Sequence, residues 1–293
     1  MARERELLML LARESRGSRG RDLCVRLLTS TDDAGAMQLV MPAVLGGELF
    51  HLLQDYGKMS EPATQFYAGC LVLALQHLHS LGIAYRDLKA ENVLLTGGVA
   101  SGMTGEAGWP VLTDFGLATF AKANEDLLYT FCGTPNFLAP EIANNVGYGT
   151  TVDWWSLGVL VCQCLTLATP FDAPTPQAIL ANISRGRRTM AQPLTGWGLS
   201  ESASSFVEAL LEPDPTSRLG GSSLGHGGTD EVRVHAFFWG LDWARLEKKQ
   251  LPTPHAAQCH ARAVAVTSHP DLVIQTPSRL PRHQPATASG LRA

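Results

Sequence analysis

Tyr85-Arg86-Asp87-Leu88-Lys89-Ala90-Glu91-Asn92 is the stretch on which the reading of this chain turns. It holds a candidate base, a candidate phosphate-binding cation and a candidate metal ligand. A turn just after Ile83-Ala84 places the Asp87 carboxylate where it can accept a proton from an attacking hydroxyl. Lys89, two residues on, can neutralise a transferring phosphoryl group. Asn92, five residues after Asp87, offers an amide oxygen to Mg²⁺. A polar loop joining a helix to a strand would explain the composition alone, so the neighbours decide.

Thr113-Asp114-Phe115-Gly116 follows the apolar Val111-Leu112 and puts a second carboxylate at a strand end. Mg²⁺ takes oxygen ligands and keeps several waters, so one Asp, one Asn and nucleotide phosphates suffice. Then come Gly133-Thr134-Pro135-Asn136-Phe137-Leu138-Ala139-Pro140-Glu141 and Asp153-Trp154-Trp155-Ser156-Leu157-Gly158. With these four motifs in this order the sequence resembles the eukaryotic protein kinases, from its first residues to about Pro254. Thr130-Phe131-Cys132-Gly133-Thr134, Val152-Asp153-Trp154-Trp155 and Val234-His235-Ala236-Phe237-Phe238 resemble the AGC group, nearest to its ribosomal-protein-kinase branch.

The resemblance implies an α+β, protein-kinase-like fold with a mainly helical large lobe, ATP and Mg²⁺ as cofactors, and Ser or Thr of proteins as acceptors. It implies Asp87 and Lys89 as catalytic residues and Asn92 and Asp114 as metal ligands. The Pro42 carbonyl and the Val44 carbonyl and amide would hold adenine, with Met41 at the back of the pocket and Leu94 beneath the ring. For each of these apolar residues plain core packing is an equal reading. Glu4 matches the glutamate that pairs with the nucleotide lysine, with Glu6 only two positions away. Asp153 would bind the backbone N–H groups of the turn at Tyr85-Arg86, and Glu141 would pair with Arg218. Thr130, four residues before Thr134, stands where the group carries an activating phosphothreonine, which a separate kinase would add and Arg86 would bind. Glu48 and Glu91 match positions that receive an arginine three residues before the target, and solvated surface carboxylates are the plainer reading of both. Gln163 replaces the acid that some relatives use for an arginine two residues before it.

The composition fits this. At 293 residues and 45% apolar, the chain can bury a sizeable core. A net charge of −4 with interspersed signs gives no nucleic-acid signature. Six cysteines occur without a Cys-x-x-Cys pair, which disfavours a structural zinc site or disulfide framework and suits reduced thiols. Met1-Ala2-Arg3-Glu4-Arg5-Glu6 lacks the apolar core of a signal peptide, and no run reaches the roughly eighteen apolar residues of a membrane span. The expected place is the cytoplasm, with the nucleus second.

Along the chain, residues 3–14 read as an amphipathic helix. Leu23–Leu28 and Met37–Met41 read as strands of a hairpin around a polar Thr29–Gly35 turn. Glu48–Asp55 and Ser60–Leu81 read as helices, the second with Ser60-Glu61-Pro62 as its start. Val93–Leu95 and Val111–Thr113 read as strands flanking a flexible surface insertion, Thr96–Pro110. Val152–Leu167 is a nearly all-apolar helix. The domain division is then 1–47 as a remnant of the small lobe with helix, hairpin and connector, 48–240 as the large lobe, 241–254 as the start of an AGC-type tail, and 255–293 as a disordered tail rich in Ala, Pro, His, Ser and Thr.

No Gly-x-Gly-x-x-Gly and no Val-Ala-x-Lys strand occurs in the sequence. The small lobe reads as truncated, with the apolar face of Leu7, Leu8 and Leu11 uncovered. Two readings follow. One is a Ser/Thr kinase selecting substrates with upstream arginine, present as a truncated isoform or fragment of impaired activity. The other is an inactive, pseudokinase-like module that binds or competes. A small-molecule phosphotransferase fits less well, because such enzymes lack the Thr134–Glu141 segment that shapes a protein-substrate platform.

Overall fold

Two helices that are apolar all round form the centre, and each is apolar all round because it is covered all round. The computed structural model describes residues 2–13, 20–33, 36–98, 106–121, 127–186, 194–221 and 228–268. Helix α3 (Glu61–Ser80) starts at Ser60, whose hydroxyl accepts the Ala63 N–H at 3.3 Å, and residues 66–75 are buried without a break. Helix α5 (Val152–Thr166) is buried from Val152 to Cys162 and ends at Leu167 in the left-handed region. Helix α7 (Glu201–Leu210) presses on α5 at Gly158, where a Cβ would come within 2.8 Å of the Leu210 Cβ. Helices α2 (Leu49–Tyr56), α4 (Pro140–Ala143), α6 (Pro176–Arg185), α8 (Gly228–Arg233) and α9 (Trp243–Glu247) complete this mainly helical lobe. Among the described residues no helix is long and apolar enough to cross a membrane.

Two short antiparallel ladders frame the loop at 85–92. Strand β3 (Ile83–Ala84) pairs with β6 (Thr119–Phe120), and β4 (Val93–Leu95) pairs with β5 (Pro110–Leu112) in the register Val93↔Leu112. The segment Thr96–Pro110 differs from a flexible insertion at both of its ends. Thr96 Oγ1 donates to the Glu106 carbonyl and accepts the Trp109 N–H, and Trp109 is buried against Phe66 at a ring separation of 5.0 Å. A large aromatic and a hydroxyl with two partners fix this base, and residues 99–105 lie outside the described residues.

The small-lobe part departs from expectation twice. The hairpin is β1 (Thr29–Asp33) against β2 (Ala36–Val40), so Thr29–Asp33 of the polar run taken as a turn is itself a strand, and residues 34–35 lie outside the described residues. β-branched Thr29 and Thr31 suit a strand, and pairing across the hairpin outweighs their polarity. Leu23–Leu28 is a 3₁₀ turn, Arg21–Leu23, followed by extended chain. The apolar stripe of α1 (Ala2–Arg13) is also covered: Leu7, Leu8 and Leu11 are all buried in the main core. The route is the segment from Gly20 to Val25. Gly20, at φ 80°, has no room for a side chain against the Leu73 carbonyl, and the Val25 N–H bonds the Leu112 carbonyl at 2.8 Å. Lys249, beyond α9, donates to the Asp22 carbonyl at 2.8 Å and ties the C-terminal part to the same segment.

The expectation of disorder from His255 onward is corrected by α10 (Ala256–Thr267), a helix with Cys259 and Ala263 fully buried. Its apolar residues are small, and they fit a surface of glycines. Residues 269–293 lie outside the described residues.

Candidate active site

Asp153 builds the site from below. Its carboxylate, wholly buried at the start of α5, accepts the Arg86 N–H at 2.7 Å on Oδ1 and the Tyr85 N–H at 2.9 Å on Oδ2, and Oδ2 also lies 2.8 Å from His79 Nε2. A buried carboxylate is stable only when so partnered. The two N–H bonds fix Arg86 at φ 70°, a costly backbone angle for arginine, and that turn sets the direction of the next residue.

That next residue is Asp87. Thr134 Oγ1 donates to its Oδ1 at 2.9 Å, while Lys89 Nζ and Asn92 Nδ2 donate to its Oδ2 at 2.9 and 2.8 Å. Lys89 also donates to Thr134 Oγ1 at 2.9 Å, so the loop and the segment at Gly133-Thr134 are joined by one closed network. A carboxylate aimed by three donors, one of them a cation, can take a proton from a hydroxyl set beside Thr134, while Lys89 meets developing negative charge.

Asn92 uses its amide nitrogen on Asp87, on the backbone carbonyl at 2.8 Å as well as on Oδ2, which leaves its amide oxygen for another partner. Thr113, next to Asp114, donates its N–H to the Asn92 carbonyl at 3.0 Å, so the two metal-ligand candidates sit on adjoining chain segments. Asp114 is exposed, at φ 53°, and one of its carboxylate oxygens accepts the Gly116 N–H at 3.0 Å. Two oxygen donors on adjoining segments fit Mg²⁺, which would complete its shell with waters and nucleotide oxygens. Phe115, buried beneath them, meets Tyr85 edge to face at 5.4 Å.

Arg86 reaches the other way. Its Nε donates to the Leu117 carbonyl at 2.7 Å and its Nη1 to the Tyr148 hydroxyl at 2.9 Å, and Tyr148 in turn donates to the Thr130 carbonyl at 2.7 Å. Burial pushes the Tyr148 phenol up, so it stays protonated and able to donate. The side chain of Thr130 is exposed. Below, Arg218 grips Glu141 through both carboxylate oxygens, at 2.7 and 2.9 Å, and both are buried.

The protein kinase domain model matches residues 16–238. The chain belongs to the protein kinase family. It is 35% identical over 262 residues to ribosomal protein S6 kinase alpha-2 of Homo sapiens, covering 89% of this chain and 33% of that protein. With ribosomal protein S6 kinase alpha-4 of Homo sapiens it shares 41% over 224 residues, 76% of this chain and 27% of that one. With a cAMP-dependent protein kinase catalytic subunit of Arthrobotrys oligospora it shares 40% over 232 residues, 79% of this chain and 41% of that one. The chain therefore spans well under half the length of these AGC-group relatives.

The residues matched to adenine contacts are part-exposed or exposed. Leu94 lies on β4, bridged to Glu48 and paired with Val111; Val44 packs on the core, Pro42 is half-buried, and Met41 is exposed. Glu4 sits part-exposed on α1, and among the described residues no hydrogen bond joins it to the catalytic network. Glu48, the N-cap of α2, has its carboxylate 3.5 Å from His51 Nδ1. One carboxylate oxygen of Glu91 is buried without a hydrogen-bond partner among the described residues, and so is the side-chain oxygen of Gln163. Sequence reasoning missed His79 and Tyr148. His79 lies four residues before β3, a usable signal, whereas Tyr148 lies in a Gly-Tyr-Gly stretch bridged to Leu128, whose aim only the fold reveals.

Proposed function

We propose that this chain is a protein Ser/Thr kinase of AGC type that transfers the γ-phosphate of ATP to proteins with arginine upstream of the target hydroxyl. The closed Asp87–Lys89–Thr134–Asn92 network carries the proposal. Asp87 orients the acceptor hydroxyl and takes its proton, Lys89 stabilises charge on the transferring group, and Thr134 fixes the floor on which the acceptor lies. ATP·Mg²⁺, held at Asn92 and Asp114 and along Pro42–Val44, supplies the phosphoryl group and most of the charge neutralisation. The orphaned oxygen of Glu91 supports an arginine-binding role, since a buried carboxylate oxygen calls for a donor. Glu48 would share that role, and neutral Gln163 would leave the arginine two residues before the target weakly selected. A phosphate on Thr130 would reach Arg86 and lock the catalytic turn. Leu127 stands three residues before Thr130, where this preference calls for arginine, so the activating kinase would be a different enzyme.

The exposure of Asp114, with no glycine-rich loop in the sequence, favours a second reading: a module that holds basic substrates and transfers phosphate slowly or not at all. The test is phosphate transfer from labelled ATP to an arginine-bearing peptide by the wild-type chain and by Asp87→Ala, with thermal unfolding as a control. A loss of roughly 10²–10⁴-fold in kcat with an unchanged melting temperature is expected. Equal transfer by the two proteins removes the base role. Peptide binding without transfer by either is the outcome of the second reading.

A further inference from the structure

Helix α10 sets an arginine of this chain on the acidic side of α2. Glu48 and Asp55 are seven residues apart, two turns of helix and so on one side of α2. Arg262 lies over that side. Its Cδ and Nη1 stand 3.0 and 3.1 Å from where a Cβ on Gly47 would be, and its Nη2 donates to an Asp55 carboxylate oxygen. The seat beneath it is built for a helix. Ala263 lies 2.3 Å from where a Cβ on Gly97 would be, so a glycine is required there. At the other end, His255 stacks on Tyr67 at 5.8 Å and shares a hydrogen bond of 3.2 Å with its hydroxyl. Exposed ion pairs add little stability, so packing of α10, rather than attraction to Asp55, positions this guanidinium.

We infer that Asp55 is a docking residue for a second, more distant arginine of basic protein substrates, and that Arg262 occupies it in cis as a stand-in. The inference rests on the proposed role of Glu48 and Glu91 toward the nearer arginine. Seven residues of helix separate the two carboxylates by about 10 Å along the axis. An extended peptide covers that in about three residues, so the second arginine stands about six residues before the target. A substrate guanidinium replacing Arg262 makes the same charge-assisted bond. Arg262 competes at the high effective concentration of a tethered group. A substrate displaces it only when its nearer arginine is already held, so the device favours doubly basic substrates over singly basic ones.

The test uses two fluorescent peptides with alanine at the target position, one with arginine three and six residues upstream, the other with arginine at three and alanine at six. Their binding to the full chain is followed by anisotropy. Arg262→Ala should tighten the doubly basic peptide by roughly twofold to fivefold, the size of an exposed ion pair, and leave the singly basic one unchanged. Asp55→Asn should remove the difference between the peptides in either background, and Arg262→Lys should behave as wild type. Unchanged affinity for the doubly basic peptide in Arg262→Ala overturns the inference, as does equal tightening of both, which would make α10 a steric block. If Glu48→Gln leaves singly basic binding unchanged, the underlying reading of Glu48 fails instead.

Discussion

Asp153 and Tyr148 act on the chemistry without touching it. Removing the Asp153 carboxylate leaves the Tyr85 and Arg86 N–H groups buried without acceptors, at about 1–3 kcal/mol each, and frees Arg86 from its unfavourable φ. Asp153→Ala should therefore lower the urea midpoint strongly and abolish transfer, with Asp153→Asn between the two; an unchanged midpoint would show that the turn holds itself. Tyr148→Phe is subtler. It removes one bond from the Arg86 guanidinium and one to the Thr130 carbonyl, each worth about 1 kcal/mol net, so kcat should fall roughly threefold to thirtyfold while the KM for ATP stays the same. A rise in that KM with kcat intact would place the effect on the nucleotide side. The meeting of Asp87, Lys89 and Asn92 was legible in the sequence because they lie within five positions of one another. Asp153, 67 residues from Arg86, was legible only through the family resemblance, and Tyr148, 62 residues from Arg86, belonged to none of the motifs that carried it.

Among the elements, the long buried helices could be read from composition, since only a covered helix can be apolar on every side. Helix α10 could not. Ala256, Cys259 and Ala263 are too small to announce an apolar stripe, and the glycines they fit lie far off at Gly97 and Gly108. Its docking should depend on pH through His255. Burial lowers the pKa of His255 from its ordinary value of 6.5, so the docked helix favours the neutral ring. The sign follows: docking is at full strength above about pH 6.5 and weakens as pH falls below it. Hydrogen exchange across residues 256–267 should be faster, relative to α3, at pH 5.5 than at pH 7.5. His255→Gln should flatten that difference, and a dependence that survives the substitution would assign it to another group.

For the molecule as a whole, Asp87 is held by three side-chain donors among the described residues, whereas the residues matched to adenine contacts are part-exposed or exposed. The described small-lobe part is one helix and one hairpin, joined to the core by Gly20–Val25 and by Lys249. Its apolar face along Leu7, Leu8 and Leu11 is buried in the main core, so the part is a packed annex, which the pattern of the helix alone could not show because the cover comes from elsewhere in the chain. What these 293 residues lack is a glycine-rich loop and a lysine for the α- and β-phosphates. Asp114 and Asn92 can hold metal, but with Asp114 exposed the triphosphate stays wet. Water raises the effective dielectric and weakens each remaining charge contact. An unpinned γ-phosphate is then seldom in line with the hydroxyl at Asp87, and positioning is most of what this chemistry needs. This chain should show a small thermal shift with ATP·Mg²⁺ and slow transfer to a basic peptide. Fusing a segment with the loop and lysine ahead of α1 should raise both, kcat/KM by at least about a hundredfold, since effective molarities of well-oriented groups are large. Comparable turnover from the two proteins would mean that Asp87, Lys89 and the two metal ligands suffice to hold the γ-phosphate in line.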